Sequence, residues 1–430
     1  METTLTQPAR WSLPTLIAFR FFFVYFVFYI LPFPFYWIPY GGVIVEPFTR
    51  MSFAATELLG KTIFGVAYIL PPANTGSGDT IHNYVQLVFV LLFATVGSII
   101  WSTVDSKRSN YEKLLYWFVI LLRYYLALTM LSYGFAKVFR TQFPPLTLGQ
   151  LGKSYGESSP MNLLWTFMGY SGTYTVFTGL GEVTGGLLLL FKRTRLLGAI
   201  VVAIVMSHVV MLNLSYDVPV KLYSAHLLLM ALIIMAPDSK RLLKFFLLNE
   251  TVSPEPAKPL YNTQKKKWIY FAGKSLILIY LVGQTVINNL DQKRSVDEYF
   301  ASAAAVSPID GQYEVDTFVL NNDTLPPIQN DTRRWKGMMI NGKEIRVESM
   351  DGASIKWHFL GNVGYRRMVI HSPDLSTYGN FTFRSDSTGI SIEGTLINDT
   401  LKIIAHKKSS GGYLLVNRGF HWVNEYPFNQ

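Results

Sequence analysis

Apolar residues fall into two regimes along this chain. Up to residue 287 they gather in long unbroken runs, and beyond it they alternate with polar residues in short stretches. Crossing about 30 Å of hydrocarbon takes about 20 apolar residues in a helix. Seven runs meet that need: 11–36, 84–101, 114–138, 172–191, 196–213, 220–236 and 268–287. The first is too long for a signal peptide, carries Arg20 and lacks a small-residue cleavage site, so it reads as a retained span. The shorter apolar stretch 58–70 reads as an interfacial or re-entrant helix. So does 160–170, with Trp165 and Tyr170 at the headgroup level.

After residue 287 the period changes to two. Short alternating runs at 313–320, 335–340, 344–349, 355–360, 365–370, 380–384, 390–396, 401–405 and 413–416 predict nine strands. Asn341-Gly342 and Asp351-Gly352 favour tight hairpins, and Thr388-Gly389 and Asn398-Asp399 punctuate later pairs. The fold class is therefore an α-helical polytopic membrane bundle followed by an all-β antiparallel barrel or sandwich. Four segments follow. Residues 1–113 hold the first helices and an outer loop, and 114–236 hold a four-helix core. Residues 237–287 hold a cytoplasmic loop and the last span, and 288–430 hold the extracytoplasmic β-domain. Residues 288–306 read as a connector with a short helix.

Composition sharpens this picture. Of 430 residues, 50% are hydrophobic and only 15% charged, against about a quarter charged in a soluble domain. The net charge of +10 belongs to the apolar half: residues 1–287 carry +11 and residues 288–430 carry −1. The excess thus orients a membrane protein and is no nucleic-acid signature. With the N-terminus inside, 14 basic residues face the cytoplasm, and five (Arg50, Lys61, Arg140, Lys153, Lys221) face outward. Seven spans then place the β-domain outside the bacterial cytoplasmic (inner) membrane, and the bilayer is the first partner. The absence of cysteine excludes disulfides, thiolate metal sites and cysteine nucleophiles. No metal site is expected.

Ionisable residues inside spans are functional candidates. Arg123, Ala127, Met130, Gly134 and Lys137 follow at steps of 4, 3, 4 and 3, which puts them on one helix face. Glu182 lies mid-depth in the next span before Gly185-Gly186, and an Arg123–Glu182 pair is expected. Such a pair serves as packing glue or as a proton-conducting or headgroup-binding site. His208 and His226 lie nine residues either side of Asp217, at matching depth on neighbouring helices. They fit ordinary hydrogen-bonded histidines, a polar or quinone pocket, or axial haem ligands, and two histidines alone carry little weight for haem. Asn213, Asp217 and Lys221 cluster at the outer end as a capped, salt-bridged turn. The sequence Gly76-Ser77-Gly78-Asp79 lacks the ending of a phosphate loop and reads as a turn, with Asp79 and His82 as polar groups outside the membrane. No Gly-x-Ser-x-Gly elbow or His-Glu-x-x-His motif occurs. The aromatic tail from Arg418 to Phe428 is suited either to closing the barrel or to docking it on the membrane.

Tyr133-Gly134-Phe135-Ala136-Lys137, Gly181-Glu182 with Gly185-Gly186, and the basic turn Lys192-Arg193-Thr194 resemble the DoxX-like family over about 114–236. The resemblance implies an Arg and a Gly-x-x-Lys element on one helix and a Glu before a small-residue pair on the next; Arg123, Gly134, Lys137 and Glu182 match. It also implies a link to quinone chemistry, and in that reading His208, His226, Tyr133 and Glu182 lie near the ring. Three extra spans and the β-domain exceed the family pattern. With no catalytic motif in view, the expected function is a non-catalytic membrane protein. It would bind a lipid or quinone-like molecule in its helical core and dock a periplasmic or membrane partner through the outer domain. A membrane subunit of a quinone-linked oxidoreductase is the alternative.

Overall fold

The structure, a computed structural model, describes residues 10–66, 77–153, 155–252, 264–306, 309–341, 344–362, 366–372, 376–408 and 413–422. It divides into a helical unit, Met1–Gln142 with Thr173–Leu290, and a second unit, Phe143–Gly172 with Asp291–Gln430.

In the helical unit, α1 (Leu13–Ile30) starts where the Ser12 hydroxyl accepts from the Thr15 amide, with proline in the first turn. Helix α2 (Gly42–Phe64) absorbs the first part of the apolar stretch 58–70 as its last turns, and Gly65 ends it at φ +64°. Residues 67–70 lie outside the described residues. Helix α3 (Ile81–Val104) opens on a capping box between Thr80 and Asn83. Helix α4 (Glu112–Val138) is the central one, with Leu122, Leu126, Met130 and Leu131 fully enclosed.

Six helices among the described residues are long and apolar enough to cross a membrane: Leu13–Trp37, Ile81–Val104, Glu112–Val138, Arg195–Ser215, Lys221–Phe246 and Trp268–Ala301. That is one fewer than expected. In the second unit lie the one-turn α5 (Leu148–Leu151) and α6 (Pro160–Tyr170), which the Ser159 hydroxyl caps at the Asn162 amide. Helix α7 (Gly172–Leu189) is the expected span that is not among the six: four threonines, five glycines and Glu182 dilute its 18 residues below the hydropathy of the rest. Helices α8 (Arg195–Ser215) and α9 (Lys221–Met235) form an antiparallel pair, and the short, strongly amphipathic α10 (Ser239–Phe246) follows. The last long helix, α11 (Gln264–Val306), corrects the expected boundary at 287, because it runs 43 residues without a break and takes in the supposed connector.

The helices pack through small residues. A methyl group at Gly134 would fall 2.9 Å from the Gly179 carbonyl oxygen, and one at Gly179 would fall 2.7 Å from that of Gly134, so α4 and α7 touch backbone to backbone. Further along, Gly186 faces Ala127 and Leu131. These contacts fix an antiparallel register in which α7 rises as α4 descends. A buried guanidinium ties α1 to the start of α4: Arg20 donates to the Tyr111 hydroxyl at 3.0 and 3.1 Å, to Ser102 Oγ at 3.0 Å and to the Asp105 carbonyl at 2.8 Å.

The β-domain is a closed up-and-down barrel. Its long strands are β1 (Gly311–Leu320), β3 (Trp335–Asn341), β4 (Glu344–Ser349), β5 (Ser354–Asn362), β6 (Arg367–His371), β7 (Tyr378–Ser385), β8 (Gly389–Leu396) and β9 (Asp399–Lys408). Every neighbour is antiparallel and β9 pairs back to β1, with Gln312 opposite Lys408 and Leu320 opposite Leu401. The two-residue β2 (Asp323–Thr324) turns back and pairs antiparallel with the end of β1. Alternation sends Tyr313, Phe318, Trp335, Met338, Trp357, Phe381 and Ile403 inward, where they fill the interior. Arg334, 3% exposed, donates to the carbonyls of Leu325, Trp335, Val315 and Asp316 at 3.0–3.2 Å. The expected ninth strand at 413–416 is instead a helical turn, α12 (Leu414–Asn417), because β9 already completes the ring. The tail is therefore not what closes the barrel; its described part leaves Phe420 and Trp422 exposed, and residues 423–428 lie outside the described residues.

A tyrosine-lined cavity beside a buried ion pair

Polar side chains from α1, α3, α4 and α9 converge inside the helical unit. Helix α1 contributes Tyr25 and Tyr29, one turn apart on one face. Helix α9 contributes Tyr223 and His226, three residues apart. His226 Nδ1 lies 2.6 Å from the Leu222 carbonyl and, facing an acceptor, donates to it. In the neutral ring Nε2 is then an acceptor, and the Tyr25 hydroxyl donates to it at 2.5 Å. Tyr29 stacks flat on the same imidazole, centroids 4.2 Å apart and planes 3° apart. His226 is thereby held in one tautomer and one orientation.

Beside this stack lies a cavity of about 320 Å³, lined among others by Tyr29, Asn83, Gln86, Tyr133, Tyr223 and His226. A second cavity of about 180 Å³ shares Tyr29, Gln86, Val90 and Tyr223 with it and adds Tyr125 and Ser52. The Tyr125 and Tyr223 hydroxyls are 3.2 Å apart. The walls therefore combine flat aromatic faces with hydroxyl and amide groups that both donate and accept.

Next to the cavity, Lys137 Nζ donates to both carboxylate oxygens of Glu182 at 2.8 Å, with Glu182 3% exposed. The ammonium also stands 5.8 Å from the centre of the Tyr133 ring, which links the ion pair to the cavity wall. The expected Arg123–Glu182 pair does not form. The α4–α7 register sets Glu182 near Gly134, and 14 residues, about 21 Å of helix, separate Arg123 from Lys137. Arg123 is buried elsewhere on α4, its guanidinium 4.9 Å from the Tyr124 ring centre.

His208 does not join His226. It is exposed on α8, whereas His226 is buried, so the two do not face one another. With both His226 nitrogens engaged, the axial haem pair is not assembled. Among the described residues, no group of three or more His, Cys, Asp or Glu is placed to hold a metal ion.

At the end of the α8–α9 pair, Asp79 accepts from the Lys221 and Leu222 amides at 2.7 and 3.0 Å and caps α9. Lys221 Nζ donates to Asp217 at 2.7 Å, and Asn213 donates to Ser224 Oγ at 3.0 Å. Asp217, at φ +51°, sits in the left-handed conformation that turns the chain. His82 stacks on Phe53 at 5.1 Å. This cluster holds the cavity's rim in place, since Gly78 and Leu222 line the same space.

Sequence reasoning missed Tyr25, Tyr29, Tyr125, Tyr223 and Gln86. Their one legible signal is the i, i+4 tyrosine pair on α1, which a helix in lipid has no packing reason to carry.

No family model matches the chain, and no solved structure matches it. Over 124 residues, 29% of this chain and 79% of the relative, it is 34% identical to the uncharacterized protein YwoB of Bacillus subtilis (strain 168).

Proposed function

The chain belongs to the family of YwoB, and we propose that its helical half is a membrane-embedded receptor for a lipid or quinone-like molecule, without catalytic machinery of its own. The observation that carries this reading is the tyrosine-lined cavity: about 320 Å³, with a flat Tyr29–His226 stack and the hydroxyls of Tyr133 and Tyr223 on its walls. That size is at the lower end for ligand sites and suits a ring or headgroup whose alkyl chain lies in the bilayer. Aromatic faces take a planar ring, and hydroxyl donors take its carbonyls. The Lys137–Glu182 meeting supports the DoxX-like resemblance, since these are two of its four motif residues.

In this reading α7 crosses the membrane as a seventh span. Its contacts with α4 extend from Gly179 at Lys137 to Gly186 at Ala127, and its Thr175 and Glu182 are buried in protein. Seven spans, with the uneven loop charges, put the N-terminus in the cytoplasm and the barrel outside the inner membrane. The barrel's interior is filled by its own side chains, so a periplasmic or membrane partner would dock on its outside.

The quinone-linked redox reading draws on one observation, the Tyr25–His226 hydrogen bond beside the cavity, which is a proton donor–acceptor pair. Titrating detergent-purified protein with a short-chain benzoquinone, with phospholipid as competitor, tests the proposal. Saturable quenching of protein fluorescence is expected, weakened about tenfold or more by Tyr29→Ala. If wild-type protein neither binds the quinone nor retains lipid, or Tyr29→Ala binds equally well, the cavity is not the site.

A further inference from the structure

The described residues contain three deeply buried arginines, and two are saturated. Arg20 is held by two hydroxyls and a carbonyl, and Arg334 by four carbonyls. Arg123 differs. It is 5% exposed, its Nε is fully enclosed without an acceptor, and no carboxylate among the described residues pairs with it. The Tyr124 face at 4.9 Å is its polar contact. Leaving a buried cation unsatisfied costs several kcal/mol, so a native guanidinium in this state calls for a ligand. Glu182 cannot serve, because Lys137 holds both its oxygens about 21 Å along the helix.

Depth says what could reach it. The 27 residues of α4 span about 40 Å and overhang a 30 Å hydrocarbon layer by about 5 Å at each end. Arg123, the twelfth residue of the helix, then has its Cα about 12 Å inside the boundary at the end where α4 begins. Helical side chains lean towards the N-terminus, which carries the guanidinium back towards the phosphate layer. Two turns nearer that end, Lys192 Nζ stands 5.7 Å from the Tyr116 ring centre and adds positive potential along the approach. The tyrosine cavity is not involved: Tyr125, which lines its smaller part, is two residues on from Arg123 and so points to the opposite side of α4.

We propose that Arg123 is the seat of a compact oxyanion, the phosphate of a membrane lipid or a free phosphate, entering from the end of the bundle where α4 begins. A guanidinium presents paired donors that match phosphate oxygens.

The test offers delipidated full-length protein either phosphatidylglycerol or inorganic phosphate, read by native mass spectrometry and melting temperature. Wild-type protein is expected to retain a phospholipid, or to be stabilised by inorganic phosphate. The first outcome identifies a lipid headgroup and the second a free anion. Arg123→Gln should weaken retention about tenfold to a hundredfold, the loss of one or two charge-assisted hydrogen bonds. Arg123→Lys, which keeps the charge and the stem, should weaken it about tenfold by losing the fork. Wild-type protein that responds to neither ligand overturns the proposal, and so does undiminished retention in either variant.

Discussion

Glu182→Gln isolates what the Lys137–Glu182 pair contributes. The substitution is isosteric and can still accept one hydrogen bond, so packing along α7 stays intact. The charge is removed, and Lys137, buried and bonded to both carboxylate oxygens at 2.8 Å, keeps its ammonium with no counter-charge. Breaking a buried pair from one side destabilises by about 3–5 kcal/mol. The surviving amide oxygen places this case at about 3 kcal/mol. At about 2–4 °C per kcal/mol for a unit of this size, the melting temperature should fall by about 6–12 °C. Replacing both partners by apolar residues, Lys137→Met with Glu182→Leu, removes the orphaned charge, and hydrophobic replacement of such a pair is neutral or better. The double variant should therefore melt well above the single one. Detergent-purified proteins scanned by intrinsic fluorescence report both values. A single variant that melts with the wild type, or a double variant no better than the single, would refute the argument that the pair is a mutually dependent structural unit.

Other outcomes follow from the same geometry. Gly179→Ala sets a methyl group 2.7 Å from the Gly134 carbonyl; backbone cannot yield cheaply, and a loss of about 1–3 kcal/mol is expected in the same melting assay. Arg334→Leu keeps bulk but frees four barrel carbonyls, and should destabilise the barrel by about 2–4 kcal/mol, read in denaturant from the emission of Trp335 and Trp357. Burial pushes the Tyr313 hydroxyl up to about 12, and it donates to the Ile309 carbonyl at 2.7 Å. Its contribution is complete below the ordinary phenol value near 10 and disappears as pH rises towards 12, so alkaline unfolding of the barrel should lose part of its pH dependence in Tyr313→Phe. At the other extreme, the Ser349 hydroxyl and the Ala353 amide hold the Asp351 carboxyl below its usual range, and Thr388 and Gly389 do so for Asp386. That stability is present above about pH 4 and is lost as pH falls through the lowered values, so Asp351→Ala with Asp386→Ala should flatten the acid limb of the same unfolding curve.

What sequence alone could reveal here was set by period. Runs of one hydropathy sign expose spans, and alternation exposes strands, which is why eight barrel strands were legible down to the hairpin at Asp351-Gly352. Residues 413–416 are a continuous apolar run, Tyr-Leu-Leu-Val, and four residues carry too little pattern to separate a strand from a helical turn. Helix α7 read as a span because its apolar residues are spaced along its whole length, although threonine and glycine weaken them. Residue counting predicts depth, as for His208 and His226, but not rotation about the helix axis, and His208 is exposed. The partner of Glu182 hinged on the α4–α7 register. Arg123 and Lys137 share a face of α4, and only the glycine contacts between the helices decide which of them the carboxylate meets. The tyrosines of the cavity are scattered over some 200 positions from Tyr25 to Tyr223 and resemble interface residues one at a time.

The pairing of β1 with β9 has a consequence for the order in which this chain is made. Strands β1 and β3 to β8 pair with neighbours close in sequence, and each can form as it emerges from the ribosome. The seam that sets Gln312 opposite Lys408 joins β1 to β9, so the ring is not complete until β9 has been made. At about 5–20 residues per second, the nascent domain spends several seconds as an open sheet with two unpaired margins. Such margins recruit other strands. Chain ends cut back within β9 should therefore leave a species prone to self-association, while an end placed just after Lys408 leaves the seam whole.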